Sequence, residues 1–203
     1  MKTEDRHSAA ALLEVMQARR TTLPKRLVAP GPTDSELQQC LAAAATAPDH
    51  NQLLPWRFVR IPQSQRAALG EALAQALLER DPAATAEQQA QAREKAARAP
   101  ELLLLVVDDD RGDPDVDVLE RTLSAGCAVQ NLLLAATALG YGSALTSGKG
   151  LKSGAVRGLF GLGPAEHAVC FVSLGTPTRA PLERARPAVG DFLRTGLPER
   201  DGG

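Results

Sequence analysis

The chain has 203 residues, 44% hydrophobic and 23% charged, which suits one globular domain with a sizeable core. Its 24 acids and 23 Lys and Arg leave a formal charge of -1, so composition points to small-molecule partners rather than nucleic acid or an anionic membrane surface. The cysteines, Cys40, Cys127 and Cys170, are odd in number and without C-x-x-C spacing, which argues against a disulfide framework or a zinc site and fits a reducing compartment.

From about His7 to Arg20, Leu12, Leu13 and Met16 recur at helical spacing and predict an amphipathic helix ending in two arginines. Acids at Glu4, Asp5 and Glu14 and the shortness of the apolar stretch argue against a signal peptide, and no segment approaches a membrane span, so a cytoplasmic location is expected. Thr33-Asp34-Ser35-Glu36 has capping-box spacing and should start a helix that Pro48 stops. Trp56 to Ile61 reads as a strand with apolar residues on both sides, which predicts a place inside a sheet rather than at its edge.

After Pro62, Leu69, Leu73 and Leu77 predict a second amphipathic helix. Asp81-Pro82 reads as an N-cap followed by proline, opening a helix over residues 83–98 that is rich in Ala, Gln and charge. With few large apolar groups to hold it, that helix is the best candidate for a mobile arm or lid. Leu102 to Val107 should be a buried strand, and Val118 to Leu139 the longest helix, with small residues Ala125, Gly126 and Ala128 for close approach of a neighbour.

Gly140-Tyr141-Gly142 should end that helix in a glycine cap, followed by a short strand over Ser143 to Ser147, a helix over Lys152 to Leu159 and a strand over Ala168 to Leu174. Residues 178–203 read as an extended surface tail. Helices and strands interleave, so the fold class is α/β or mixed α+β in a single domain spanning 1–203.

Familiar nucleotide motifs fail. Around Gly148-Lys149 a phosphate loop would need glycine at Ser143 and a hydroxyl residue at Gly150, and a dinucleotide fingerprint from Gly140 would need glycine at Leu145. Asp113 to Asp117 lacks the turn glycine and terminal carboxylate of a calcium loop, and His7, His50 and His167 have no local ligand pattern, so no metal site is expected. No G-x-S-x-G supports hydrolase chemistry.

Four segments in fixed order carry the remaining signal. They are Arg19-Arg20-Thr21, then Ala47-Pro48 through Pro55-Trp56-Arg57-Phe58, then Ser124-Ala125-Gly126-Cys127-Ala128, and Gly140-Tyr141-Gly142 leading to Leu145-Thr146-Ser147-Gly148. From about Leu12 to Pro177 this pattern resembles the nitroreductase superfamily of FMN-dependent oxidoreductases, particularly its small single-domain members. The resemblance implies an α+β nitroreductase-like fold, with a mixed central sheet flanked by helices, that forms a homodimer with FMN at the dimer interface. It implies hydride transfer from NADH or NADPH through FMN to a nitroaromatic, quinone or related acceptor in the same pocket. A flavin-binding carrier, sensor or structural dimer is the alternative.

On this resemblance Arg19, Arg20 and Thr21 meet the FMN phosphate, with Arg184 and Arg186 as further candidate contacts. Thr46, His50 and Gln52 line the cofactor from the loop before Trp56, and Leu145, Thr146 and Ser147 pass beside the ring. The cofactor carries the chemistry, so no catalytic acid, base or nucleophile is assigned; Cys127 is read as a packing residue and Trp56 as a packing anchor. Three departures stand out. Leu23 occupies the place of a lysine in many larger relatives, Leu54 that of a glutamine before Pro-Trp, and Leu145-Thr146 that of Trp-Arg in close small relatives. Together they predict a less polar and less cationic flavin site.

Overall fold

The computed structural model describes residues 3–180 and 185–196. Its first helix, α1 (Thr3–Ala18), stops just before the two arginines. Strand β1 (Leu27–Val28) follows, and then α2 (Asp34–Ala44), which starts where the capping-box spacing predicts. Glu36 N–H donates to Thr33 Oγ1 at 3.3 Å, and Thr33 N–H donates to Glu36 Oε2 at 2.8 Å. Two orphan amides are thereby satisfied.

Strand β2 (Trp56–Arg60) leads to α3 (Arg66–Arg80) and α4 (Ala86–Glu94). Helix α4 begins later than predicted, because Thr85 and Gln88 form a complete capping box while Asp81 folds back on the amide of Ala83 at 3.2 Å. Asp81-Pro82 is therefore a turn, not a cap. Strand β3 (Glu101–Asp108) and α5 (Val118–Ala138) match their predicted positions closely. Gly140, at φ 86°, closes α5, with Tyr141 N–H reaching Ala136 O at 2.8 Å and Gly140 N–H reaching Thr137 O at 3.0 Å. That pair of bonds is a Schellman cap, and it turns the chain directly into the next strand.

Strand β4 (Gly142–Thr146), helix α6 (Gly154–Leu159) and strand β5 (Glu166–Pro177) complete the described elements. Strand order is β2-β3-β5-β4, all antiparallel, with β1 paired to the far end of β5. A single parallel bridge, Thr21 to Ser143, makes the sheet mixed.

Helices cover both faces. Alternation along β3 sends Leu103, Leu105 and Val107 into one core with α2 and α5, and Leu102, Leu104 and Val106 into another that includes Leu69 and Ala76 of α3 and Val156 of α6. Each such leucine contributes roughly 1.5–3 kcal/mol of burial. This three-layer arrangement corrects the expectation for β2. Among the described residues β2 pairs with β3 alone and forms an edge. Its apolar residues on both sides reflect two covering helical layers: Trp56 and Phe58 meet the first core, Val59 the second.

Two glycines allow β1 to close over this end of the sheet. Gly142 and Gly175 face each other across β4 and β5. A Cβ at Gly175 would lie 2.7 Å from Pro100 Cδ and Cγ and 3.1 Å from Val28 O. Gly175→Ala should therefore cost about 1–3 kcal/mol through overpacking, measured as a lower urea midpoint at unchanged slope. An unchanged midpoint would mean that β1 and Pro100 are free to shift. Residues 185–196 run exposed, with one turn over Val189–Asp191. Among the described residues no helix is long and apolar enough to cross a membrane.

Candidate functional site

The expected cofactor residues form two groups. In the first, Thr22 N–H donates to Ser143 O at 2.8 Å and Thr21 bridges Ser143, which lays the end of α1 alongside β4. Arg19, Arg20 and Thr21 are thus brought to the strand whose far end carries Leu145, Thr146 and Ser147. Thr22 turns inward, its hydroxyl buried and without a hydrogen-bond partner beside the open side of Gly142, so the alternate residue, Thr21, presents the exposed hydroxyl.

Arg186 joins this group by donating from Nη2 to Arg19 O at 2.9 Å. Arg20 is turned back onto the carbonyls of Gln17 and Arg19. None of the three arginines takes part in an ion pair among the described residues. Burial, then the charges of Arg186 and Arg20, lowers the proton affinity of the Arg19 guanidinium. Three like charges gathered without a counter-charge are suited to an anion. Arg184 lies outside the described residues.

The second group sits against α5. Thr46 Oγ1 donates to Ala43 O at 2.8 Å and accepts from Asn131 Nδ2 at 3.1 Å. His50 Nδ1 lies 2.7 Å from Glu120 Oε2. Gln52 is exposed within a backbone of unusual shape, since Asn51, Gln52 and Leu54 all have positive φ, at 51°, 55° and 49°. Such conformations are uncommon for residues other than glycine and need support from their surroundings. Asp49 provides it, accepting the amide of Leu54 at 2.6 Å and, through its carbonyl, that of Gln52 at 3.4 Å. Asp49 has no role in the sequence reading; an aspartate directly after Pro48, opening a loop that Pro55 closes, is the signal that marks such a turn.

Trp56 is buried as an anchor for this loop. Its Nε1–H donates to Ser124 Oγ at 2.9 Å, and its ring packs edge-on to Phe58 with centroids 5.9 Å apart. Two of the four signature segments are thus one physical unit. Among the described residues, none of the hydrogen bonds above joins the Arg19 group to the Thr46 group.

A cleft of about 600 Å³ adjoins the first group. Leu23, Thr146 and Ser147 form one side of it, and Leu69, Leu73 and Leu77 of α3 another, over a floor that includes Leu102 and Phe171. Leu145 is exposed but outside this lining. Four cations also line it: Arg80, Lys95, Arg98 and Lys149. Leu23 itself adds no charge to the lining, and its cations come from elsewhere in the chain. These cations escaped the sequence reading because they come from the end of α3, the segment after α4 and the loop after β4, and only folding gathers them. Helix α4 forms part of the wall and holds to α3 through buried Ala92, an Arg93–Glu71 ion pair at 2.8 Å and the close approach of Arg93 to Gly70.

The nitroreductase family model matches residues 16–176, which takes in every residue of the cleft lining and both groups apart from Arg186. The chain belongs to the nitroreductase family. It is 36% identical over 167 residues to an Escherichia coli K12 protein named "Putative NAD(P)H nitroreductase YdjA", covering 81% of this chain and 87% of that one. Among solved structures, the NADPH:FMN oxidoreductase of Vibrio harveyi complexed with NAD+ superposes with a TM-score of 0.71 at 23% identity, covering 93% of this chain and 78% of that one. A "putative nitroreductase in complex with FMN" from Desulfovibrio desulfuricans superposes with a TM-score of 0.67 at 23% identity, covering 92% and 98%. Those two likenesses concern the fold.

Proposed function

We propose that this member of the nitroreductase family is an NAD(P)H-dependent oxidoreductase that binds FMN and reduces a nitroaromatic, quinone or related small acceptor. The observation that carries the reading is the gathering of Arg19, Arg20 and Arg186, without a carboxylate partner among the described residues, beside an apolar cleft edged by Thr146 and Ser147. The arginines hold the terminal phosphate dianion, and Thr21 adds a hydroxyl donor. Thr146 and Ser147 border the ring, and the leucines of α3 keep water from the reacting face. When bound, FMN supplies the redox chemistry, taking a hydride from NADH or NADPH and passing it to the acceptor. In this reading α4, tethered mainly by Ala92 and the Arg93–Glu71 pair, is the lid over the cleft.

The same reading makes the protein a homodimer with two FMN sites between its subunits. Two features support it. No hydrogen bond among the described residues joins Thr46, His50 and Gln52 to the arginines, and in this reading a second copy supplies them. Leu12, Leu13 and Met16 of α1 and Leu119 and Leu123 of α5 are exposed at 43–77%, a large apolar area for a lone chain to leave uncovered. Dependence on reduced nicotinamide nucleotides goes with a cytoplasmic location.

Anaerobic addition of NADH and NADPH to the FMN-loaded protein tests the activity. Bleaching of the flavin absorbance by at least one nucleotide, then recovery on adding a nitroaromatic or quinone, is the expected result. A protein that stays yellow with both nucleotides would make it a flavin carrier rather than an enzyme. One that remains colourless after incubation with FMN would overturn both readings.

A further inference from the structure

The four cations that line the cleft have no role in the reading given so far. Their surroundings are one-sided: the lining contains Arg80, Lys95, Arg98 and Lys149 but neither Asp nor Glu. None of the four makes an ion pair or a side-chain hydrogen bond with another described residue. Nearby Glu79 is committed elsewhere, accepting the amides of Gly154 and Ala155 at the start of α6, both at 3.1 Å. A chain of net charge -1 thus concentrates four positive charges around one cavity.

Below that charge the cavity is apolar, walled by Leu69, Leu73 and Leu77 and floored by Leu102, Leu151 and Phe171. Gln88 and Gln91 of α4 add neutral hydrogen-bonding groups. An apolar slot under a cationic rim matches one kind of ligand: a flat hydrocarbon body that fills the slot and an anionic substituent left at the mouth. A neutral aromatic fills the slot equally well but leaves the cations unanswered. Opposite charge at a cleft with low-dielectric walls is focused, raising both local concentration and residence of the anion.

We propose that the cleft selects electron acceptors carrying a carboxylate, sulfonate or phosphate on an apolar planar body. The inference rests on reading the cleft as the acceptor site. Arg80, Lys95, Arg98 and Lys149 are specificity residues in it, and none of them takes part in the reaction.

The test compares 4-nitrobenzoate with its neutral isostere 4-nitrobenzamide, by calorimetric binding to the FMN-loaded protein and by kcat/KM with the better nucleotide. The benzoate should bind about tenfold more tightly at about 0.02 M salt, and the preference should fall severalfold at about 0.5 M, where exposed charges are screened within a few ångströms. Arg80→Gln with Lys149→Gln, both at exposed positions, should narrow the preference severalfold, read as the ratio of Kd and of kcat/KM between the two probes. Equal binding of the two probes, or a preference that survives in the double variant, overturns the inference. If the double variant instead raises KM for NADH or NADPH and leaves the two probes alike, the cations serve the donor's phosphates and the inference also fails. Bleaching by nucleotide is scored separately: its failure removes the oxidoreductase reading, while the calorimetric comparison still decides whether the cleft prefers the anion.

Discussion

Replacing Arg19 and Arg20 together with alanine should weaken FMN binding by about 2–4 kcal/mol, the scale of two lost charge-assisted contacts to a dianion. That is roughly a 30- to 700-fold rise in Kd. The size of the effect follows from the arrangement before any ligand arrives. Burial and two neighbouring guanidiniums already disfavour the charge on Arg19, and no carboxylate among the described residues offsets it. A phosphate relieves that repulsion as well as forming its own bonds.

A specific signature therefore accompanies the loss. The double variant without FMN should be no less stable than the parent by thermal melting, because the substitution removes repulsion at the cost of only a few exposed or half-buried bonds to carbonyls. FMN affinity should also fall with added salt in the parent and lose most of that dependence in the variant. Fluorescence titration of FMN measures both. A Kd within threefold of the parent would move the phosphate elsewhere, and a collapsed melting temperature would make the arginines structural.

The second large effect concerns Arg66, which sits at the amino end of α3 and is only 4% exposed. Its guanidinium donates to Ile61 O at 2.8 Å, Ala96 O at 2.8 Å, Ala99 O at 3.3 Å and Pro100 O at 3.4 Å. Three of those carbonyls belong to the segment between α4 and β3, where the chain leaves the helical turn that follows α4 and needs donors for its last carbonyls. Desolvation lowers the proton affinity of Arg66, and the charge of Glu101 partly restores it. Arg66 therefore acts as a buried bracket that fixes the segment bearing Lys95 and Arg98 against α3.

Arg66→Met, which keeps most of the side-chain volume, should cost about 2–4 kcal/mol because several buried carbonyls lose their donor. At about 2–4 °C per kcal/mol for a chain of this size, the melting temperature should fall by roughly 4–16 °C. Because the same bracket supports one wall of the cleft, the variant should also bind 4-nitrobenzoate more weakly while its FMN phosphate contacts persist. A melting temperature within about 1 °C of the parent would mean that water replaces the guanidinium without cost.

Several parts of this molecule were legible one element at a time. The Thr33 capping box, the all-apolar run from Leu102 and the glycine after α5 are local devices whose physics acts within a few residues, and each forms where the pattern puts it. Trp56 is intermediate. Its burial could be anticipated from its place at the head of a strand, but its hydrogen bond to Ser124, 68 residues away, could not. The edge position of β2 was misread because alternation reports how many faces are covered, not how many neighbours a strand has. Asp81-Pro82 was misread because two capping signals lay four residues apart, and the reciprocal one at Thr85 prevailed.

By itself, then, the order of residues determined the kinds of element, most of their limits, the family pattern and the grouping of Arg19, Arg20 and Thr21, which are adjacent in the chain. Only the tertiary structure decided what those elements surround. Arg80, Lys95, Arg98 and Lys149 span 70 positions, and the cavity they border exists because α3, α4 and the loop after β4 converge over the sheet. Local propensity acts through neighbouring residues, whereas the charge and shape of a cleft depend on distances between side chains that are remote in sequence.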